Sequence, residues 1–169
     1  MVTLHLLRHA KAKTTLELRD IDRPLAERGH RDADTMGQRL AEWDVNPTLI
    51  LCSSAQRARE TLASILPHLS GSQTIKIEEG LYNIDHGSVL KRLFEISDGH
   101  ATILVIGHNP ALEQLTSYLA ADGTPSDMQQ LNIKFPTCAL ATLEFSFEEW
   151  RSIGPKTGRL IRLFIPGEA

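Results

Sequence analysis

Cysteine is scarce in this chain, with Cys52 and Cys138 the only two among 169 residues. Two cysteines cannot frame a disulfide scaffold. Without the paired spacing of a metal knuckle, both are expected as buried thiols in a reducing cytoplasm. Charge of one sign is also scarce: 18 Lys and Arg against 21 Asp and Glu leave a net charge of -3. That balance gives no general pull toward nucleic acid or an anionic membrane, and neither is expected as a partner. Long apolar runs are missing too. The longest, such as "TILVI" at 102–106, fall far short of the roughly 20 residues of a membrane span. Residues 1–10 hold no basic segment ahead of a long apolar one, so neither export nor membrane insertion is expected. No internal repeat and no compositional bias point to a solenoid, a coiled coil or disorder.

What is present is a chain of ordinary domain length, and residues 1–169 are expected to form one domain around one core. "VTLHLL" (2–7) reads as a buried strand and "TLILCS" (48–53) as a second. Between them Ala33, Met36, Leu40 and Trp43 recur at helical intervals, predicting a helix from about 25 to 44 that stops before Asn46-Pro47. Ala58, Leu62, Ile65 and Leu66 predict another helix, ending near Pro67, and "TIKIEE" (74–79) alternates like a strand. Leu90, Leu93, Phe94 and Ile96 mark a further helix. "ATILVIG" (101–107) is a strand, and Leu112, Leu115 and Leu119 lie on the helix after it. "ADGTPSDMQQ" (121–130) reads as a flexible polar loop. "CALATLEF" and "RLIRLFI" read as closing strands paired through the turn at Gly154-Pro155. The fold class is α/β, with a mainly parallel sheet flanked by helices and an antiparallel edge from the last hairpin. In such sheets the ligand crevice lies beyond the carboxyl ends of the strands.

Three strand ends carry polar residues out of keeping with a core. The first strand runs into "RHAKAK" (8–13), the second into "SSAQRARET" (53–61), and "TILVIG" into "HNP" (108–110). If the three strands are sheet neighbours, Arg8, His9, Arg57 and His108 converge, with helix N-termini behind Arg57 and behind Asn109-Pro110. Two arginine forks, two imidazoles and helix N-termini suit a compact dianion such as a phosphoryl group. Neutral imidazole can attack phosphorus, giving a phosphohistidine that water then hydrolyses, and the cations stabilise charge on the transferring oxygens.

"LLRHA", "SSAQRARET" and "VIGHNP", in this order, resemble the histidine phosphatase superfamily with its phosphoglycerate-mutase-like three-layer α/β sandwich. "RPLAERGHRDA" (23–33) resembles another of its segments. The resemblance spans nearly the whole chain and lies nearest the short SixA-type phosphohistidine phosphatases. It implies that His9 is the nucleophile, that Arg8 and Arg57 hold phosphoryl oxygens, and that His108 is the second histidine of the pocket. It implies no metal and no cofactor. The implied partner is a phosphotransfer protein bearing phosphohistidine, and phosphate is the product. Two positions depart from the family pattern. Ala10 stands where glycine usually follows the nucleophile, narrowing the backbone geometry of that turn. In "GLYNIDHG" (80–87), Asn83 stands where ester-cleaving members carry a general-acid glutamate; Asp85, or less well Glu79, is left to supply that acid. An alkoxide needs a proton donor to leave and the imidazole of a phosphohistidine far less so, so a missing acid favours phosphohistidine over phosphate esters.

Other chemistries fit less well. A cysteine-based phosphatase needs five residues between Cys and Arg, whereas four separate Cys52 from Arg57 and six separate it from Arg59. A metal site of His5, His9 and His108 would have His5 inside a strand and Arg8 repelling the cation. No G-x-x-x-x-G-K-[ST] loop occurs. A broad small-molecule phosphomonoesterase and a non-catalytic module that binds phosphorylated proteins remain as alternatives. His30, His68, His86 and His100 are expected at the surface or as satisfied hydrogen-bond partners, and Arg59 in a surface contact. Lys11 and Lys13 stand between steering an anion and simple solvation. Glu17, Asp20 and Asp22 balance Arg19 and Arg23, and whether one of them orients Arg8 or Arg57 is open from the sequence.

Overall fold

A computed structural model of the chain describes residues 1–97 and 99–167. The elements run β1 (Val2–Arg8), α1 (Glu27–Glu42), β2 (Leu49–Ser53), α2 (Gln56–Ile65), β3 (Thr74–Glu78), α3 (His86–Phe94), β4 (Thr102–Gly107), α4 (Ala111–Leu119), β5 (Ala120–Gly123), α5 (Pro125–Ile133), β6 (Leu140–Phe145) and β7 (Gly158–Phe164). The strands form one sheet in the order β3-β2-β4-β1-β6-β7-β5. β1, β2, β3 and β4 pair in parallel.

Alternation along the strands splits the core into two layers. Leu4, Leu6, Leu51, Ile103 and Val105 pack with Val89 and Leu93 of α3, Leu112 and Leu115 of α4 and Leu131 of α5. Leu7, Ile50, Cys52, Leu104 and Ile106 face the other way, against Ala33, Met36 and Leu40 of α1 and Ala58, Leu62 and Ile65 of α2. The sheet is thus the middle of a three-layer sandwich. Strands buried on both faces need apolar residues at every position, which is why "LILCS" and "TILVIG" show no alternation.

Two expectations are corrected. The 121–130 segment is not a flexible loop: Ala120–Gly123 pairs in parallel with β7, and α5 follows at once. Its start signals are plain in hindsight, since Thr124 caps through a hydrogen bond from the Asp127 amide and Pro125 stands in the first turn. Leu131 is the only buried residue of α5, so no apolar period announced it. The closing hairpin also does not form the sheet edge. β6 is the one antiparallel strand and lies inside, between β1 and β7, because the open side of β1 accepts it; β7 then covers β6 and carries β5. Among the described residues no helix is long and apolar enough to cross a membrane.

The register positions the crevice. Arg8 pairs with Gly107 and Cys52 with Ile106, so β1, β4 and β2 end level with one another. Beyond β1 the chain stays pinned, the His9 amide donating to Gly107 O at 3.0 Å and the Ala26 amide to Lys11 O at 2.9 Å. Gly29 of α1 makes that second contact possible, since a Cβ there would stand 2.1 Å from Lys11 O. Gly29→Ala should therefore cost about 1–3 kcal/mol in a urea titration despite the better helix propensity of alanine, and should also lower activity by shifting the segment after His9. Unchanged stability would contradict this packing.

Candidate active site

The structure brings together all four residues singled out in the sequence. Arg8, His9, Arg57 and His108 line one cavity of about 330 Å³ beyond the level strand ends, together with Asp20 and Tyr82. His9 is 7% exposed and Arg57 6%, both unusually buried for their types. The two imidazoles lie 5.1 Å apart between centroids, tilted by 56°.

The hydrogen bonds fix the His9 tautomer. Nδ1 is 2.7 Å from Ala10 O, a carbonyl that only accepts, so Nδ1 carries the proton and donates. On the far side Arg57 Nε donates to His9 Nε2 at 3.3 Å, so Nε2 is unprotonated and its lone pair accepts from Arg57 at the cavity wall. Ala10 is accommodated without strain. It is fully buried in the core under α1 and α2, it is not among the residues of positive φ, and its amide donates to Thr61 Oγ1 at 3.0 Å. Thr61 in turn donates to Arg57 O at 2.7 Å, tying the turn after His9 to the first turn of α2. His108 has the opposite tautomer. Arg57 Nη2, which can only donate, lies 3.5 Å from its Nδ1, so Nε2 carries the proton and donates to Ser53 Oγ at 2.7 Å.

Burial, more than any other influence, holds both histidines neutral. His9 is lowered to about 3, against the pull of the Ala10 hydrogen bond, with the charges of His108, Arg57 and Arg8 acting in the same direction as burial. His108 is lowered to about 4 by burial and then by Arg57. Arg8 Nη1 donates to Phe135 O at 3.1 Å, while its buried Nε has no acceptor among the described residues. Asn109 Nδ2 shares that carbonyl at 2.7 Å, which anchors the turn between β4 and α4 beside Arg8.

Asp20 answers the question left open about the loop acids. Its backbone carbonyl accepts from Arg57 Nη1 at 2.7 Å, and its Oδ2 from Arg57 Nη2 at 3.0 Å and from Tyr82 Oη at 2.5 Å. Its Oδ1 accepts from Arg23 Nε at 3.0 Å. The Tyr82 hydrogen bond first, with Arg57 next among the groups that lower it, takes this carboxyl down to about 2. Sequence reasoning missed Tyr82, Ser53, Thr61 and the Ala10 carbonyl, although Ser53 stands at a strand end like Arg8 and His108. Neither proposed acid enters the cavity lining. Asp85 caps α3, accepting from the Ser88 amide at 2.8 Å, and that bond lowers its pKa. Glu79 lies exposed in the 3-10 turn of residues 79–81. Asn83 does line the cavity. Arg59 is exposed, donating to Ser54 O at 3.0 Å; Lys11 is an exposed member of the lining and Lys13 is not in it. His5 is buried in β1 with Nδ1 2.8 Å from Thr142 Oγ1, and among the described residues no cluster of three His, Cys, Asp or Glu could hold a metal ion.

Comparison with known proteins shows the family and the fold. The sequence profile of the histidine phosphatase superfamily (branch 1) matches residues 4–100. An uncharacterized protein of Mycobacterium tuberculosis is 33% identical over 162 residues, spanning 95% of this chain and 99% of its own. The crystal structure of a candidate phosphohistidine phosphatase SixA from Agrobacterium tumefaciens superposes with a TM-score of 0.81 at 28% identity over 98% of both chains. A second such candidate, from Nakamurella multipartitia, superposes with a TM-score of 0.82 at 27% identity, over 98% of this chain and 96% of that one.

The neutral histidines make stability depend on pH. His5, His9 and His108 are lowered from 6.5 to about 4, about 3 and about 4, burial being the first cause in each. Below pH 6.5 the unfolded chain takes up protons that the fold refuses, so stability is full above that value and falls as pH falls toward 4. By pH 5 each histidine should remove roughly 1–2 kcal/mol, read as a lower urea midpoint than at pH 7. His9→Gln should flatten the slope, and a midpoint independent of pH would contradict the assignment.

Proposed function

Because this chain belongs to the histidine phosphatase superfamily, we propose that it is a phosphohistidine phosphatase acting through a phosphorylated His9. The observation that carries the substrate class is electrostatic. The only carboxylate among the described cavity-lining residues is Asp20, and its pKa of about 2 keeps it ionised at any working pH. An ester would have to release an alkoxide without a carboxylic acid to protonate it, whereas a phosphohistidine releases an imidazole that needs only a proton from water on its far nitrogen. The likeness to two candidate SixA enzymes supports the same reading.

In this reading Arg57 Nε turns from His9 Nε2 to a phosphoryl oxygen as substrate enters, and the freed Nε2 lone pair attacks phosphorus opposite the leaving nitrogen. A bond forms between Nε2 and phosphorus, the substrate P–N bond breaks, and its electron pair stays on the departing imidazole. His9 becomes a phosphorylated imidazolium, whose positive charge is stabilised by the 2.7 Å hydrogen bond from Nδ1 to Ala10 O. Water then attacks the same phosphorus. The electron pair returns to Nε2, phosphate departs, and the Nδ1 proton never leaves. Arg8, through its unpartnered Nε, and Arg57 hold the phosphoryl oxygens. A dianion beside His108 Nδ1 favours protonation of that ring, turning it into a second donor. The partner in this reading is a cytoplasmic phosphotransfer protein that presents its phosphohistidine to one catalytic domain spanning residues 1–169.

Offered a phosphohistidine protein and p-nitrophenyl phosphate side by side, with and without chelator, the enzyme should strongly prefer the first, and chelator should not change the rate. Equal or faster ester cleavage would support the broad phosphomonoesterase instead, and loss of activity to chelator would sink the metal-free mechanism. His9→Ala should lower turnover at least about 1,000-fold while phosphate binding persists. A wild type that binds phosphate but releases none from a phosphohistidine protein would be the non-catalytic module.

A further inference from the structure

We propose that Asp20 is a positioning residue with two opposed effects: it grips Arg57 against His9, and its negative charge weakens the pocket's hold on phosphate so that product can leave. The proposal rests on the pocket being a phosphoryl site, as read above, and not on which phosphorylated molecule is the substrate.

The grip is visible atom by atom. Arg57 Nη1 and Nη2 donate to the backbone carbonyl and carboxylate of Asp20, at 2.7 and 3.0 Å, so the guanidinium is held on its outer edge. Its Nε is thereby directed at His9 Nε2, at 3.3 Å. Tyr82 and Arg23 hold the carboxylate from its other sides, and the Tyr82 ring stands edge-on to His108 at 5.5 Å. An arginine fork committed to a carboxylate is oriented before substrate arrives, which lowers the entropy lost in the transition state.

The charge works against binding. Arg8, Lys11, Arg23 and Arg57 line the cavity, and Asp20 is the lone anion set among them. Arg57 Nη2 touches both the Asp20 carboxylate and His108 Nδ1, so a phosphoryl group seated on Arg57 and His108 lies one guanidinium nitrogen from that carboxylate. A like charge at such range changes the affinity for an anion by about tenfold or more. A pocket of uncompensated cations would bind phosphate more tightly without speeding the chemical step, and turnover would stall on product.

Asp20→Asn and Asp20→Ala separate the two effects. Asparagine keeps a side-chain acceptor for Arg57 and Tyr82 and removes the charge, whereas alanine removes the charge and the side-chain acceptor and leaves Arg57 only the backbone carbonyl. Calorimetric titration with inorganic phosphate should show Asp20→Asn binding about tenfold more tightly than wild type. The rate of His9 phosphorylation, followed by rapid quench, should be roughly tenfold or more slower in Asp20→Ala than in Asp20→Asn, because only alanine takes the side-chain acceptor from Arg57 and leaves it a single anchor at the backbone carbonyl. Phosphate binding no tighter in Asp20→Asn than in wild type would overturn the charge effect, and equal phosphorylation rates in the two variants would overturn the grip. If wild type bound no phosphate at all, the phosphoryl site itself would fall, and the proposed function with it.

Discussion

The level ending of β2, β4 and β1 is the constraint on which the site depends. A slip of β1 by one residue would turn its side chains to the opposite face and bury Arg8 in a helix layer. The register in which Arg8 meets Gly107 and Cys52 meets Ile106 places the polar ends together and leaves both apolar layers intact. From there the His9 amide adds one further hydrogen bond to the ladder, and the chain crosses the N-terminal part of α1 at Gly29. Local structure, packing and site geometry follow from that one alignment.

Within the crevice the chemistry depends on keeping imidazoles neutral among arginines. Burial supplies most of the effect and the neighbouring guanidinium groups add to it, so His9 holds a lone pair on Nε2 without any carboxylate to prepare it. A backbone carbonyl does the orienting instead. In the proposed mechanism this suits a nucleophile that would carry a positive charge as a phosphorylated ring and then lose it, because a neutral acceptor stabilises that charge without pairing so strongly that the intermediate persists. The one carboxylate present acts on Arg57 and not on His9.

Much of this was legible in the sequence, for physical reasons that differ by element. Arg8, His9 and His108 were readable because they end apolar runs at strand ends, where a core would not tolerate them, and Arg57 because it opens the helix that follows such an end. The mainly parallel sheet flanked by helices followed from apolar strands alternating with amphipathic helices, and the three layers from the family resemblance. α5 was hidden because only Leu131 is buried, and β5 because four residues containing Asp and Gly at a sheet edge carry no strand pattern. The interior place of β6 depends on which side of β1 was left open, a tertiary fact that no local pattern records. The role of Asp20 lay in the distance between a loop and α2, and that of Ala10 in a carbonyl, which every residue has.

The central claim is that His9 Nε2 carries the phosphoryl group during turnover. Mixing the enzyme with a phosphohistidine protein, quenching in alkali within the first turnover and mapping the phosphorylated peptide tests this most directly. The account predicts an acid-labile, alkali-stable phosphoryl group on His9, formed before free phosphate appears. Phosphate released with no phosphorylated peptide, or a phosphoryl group on His108, would contradict it.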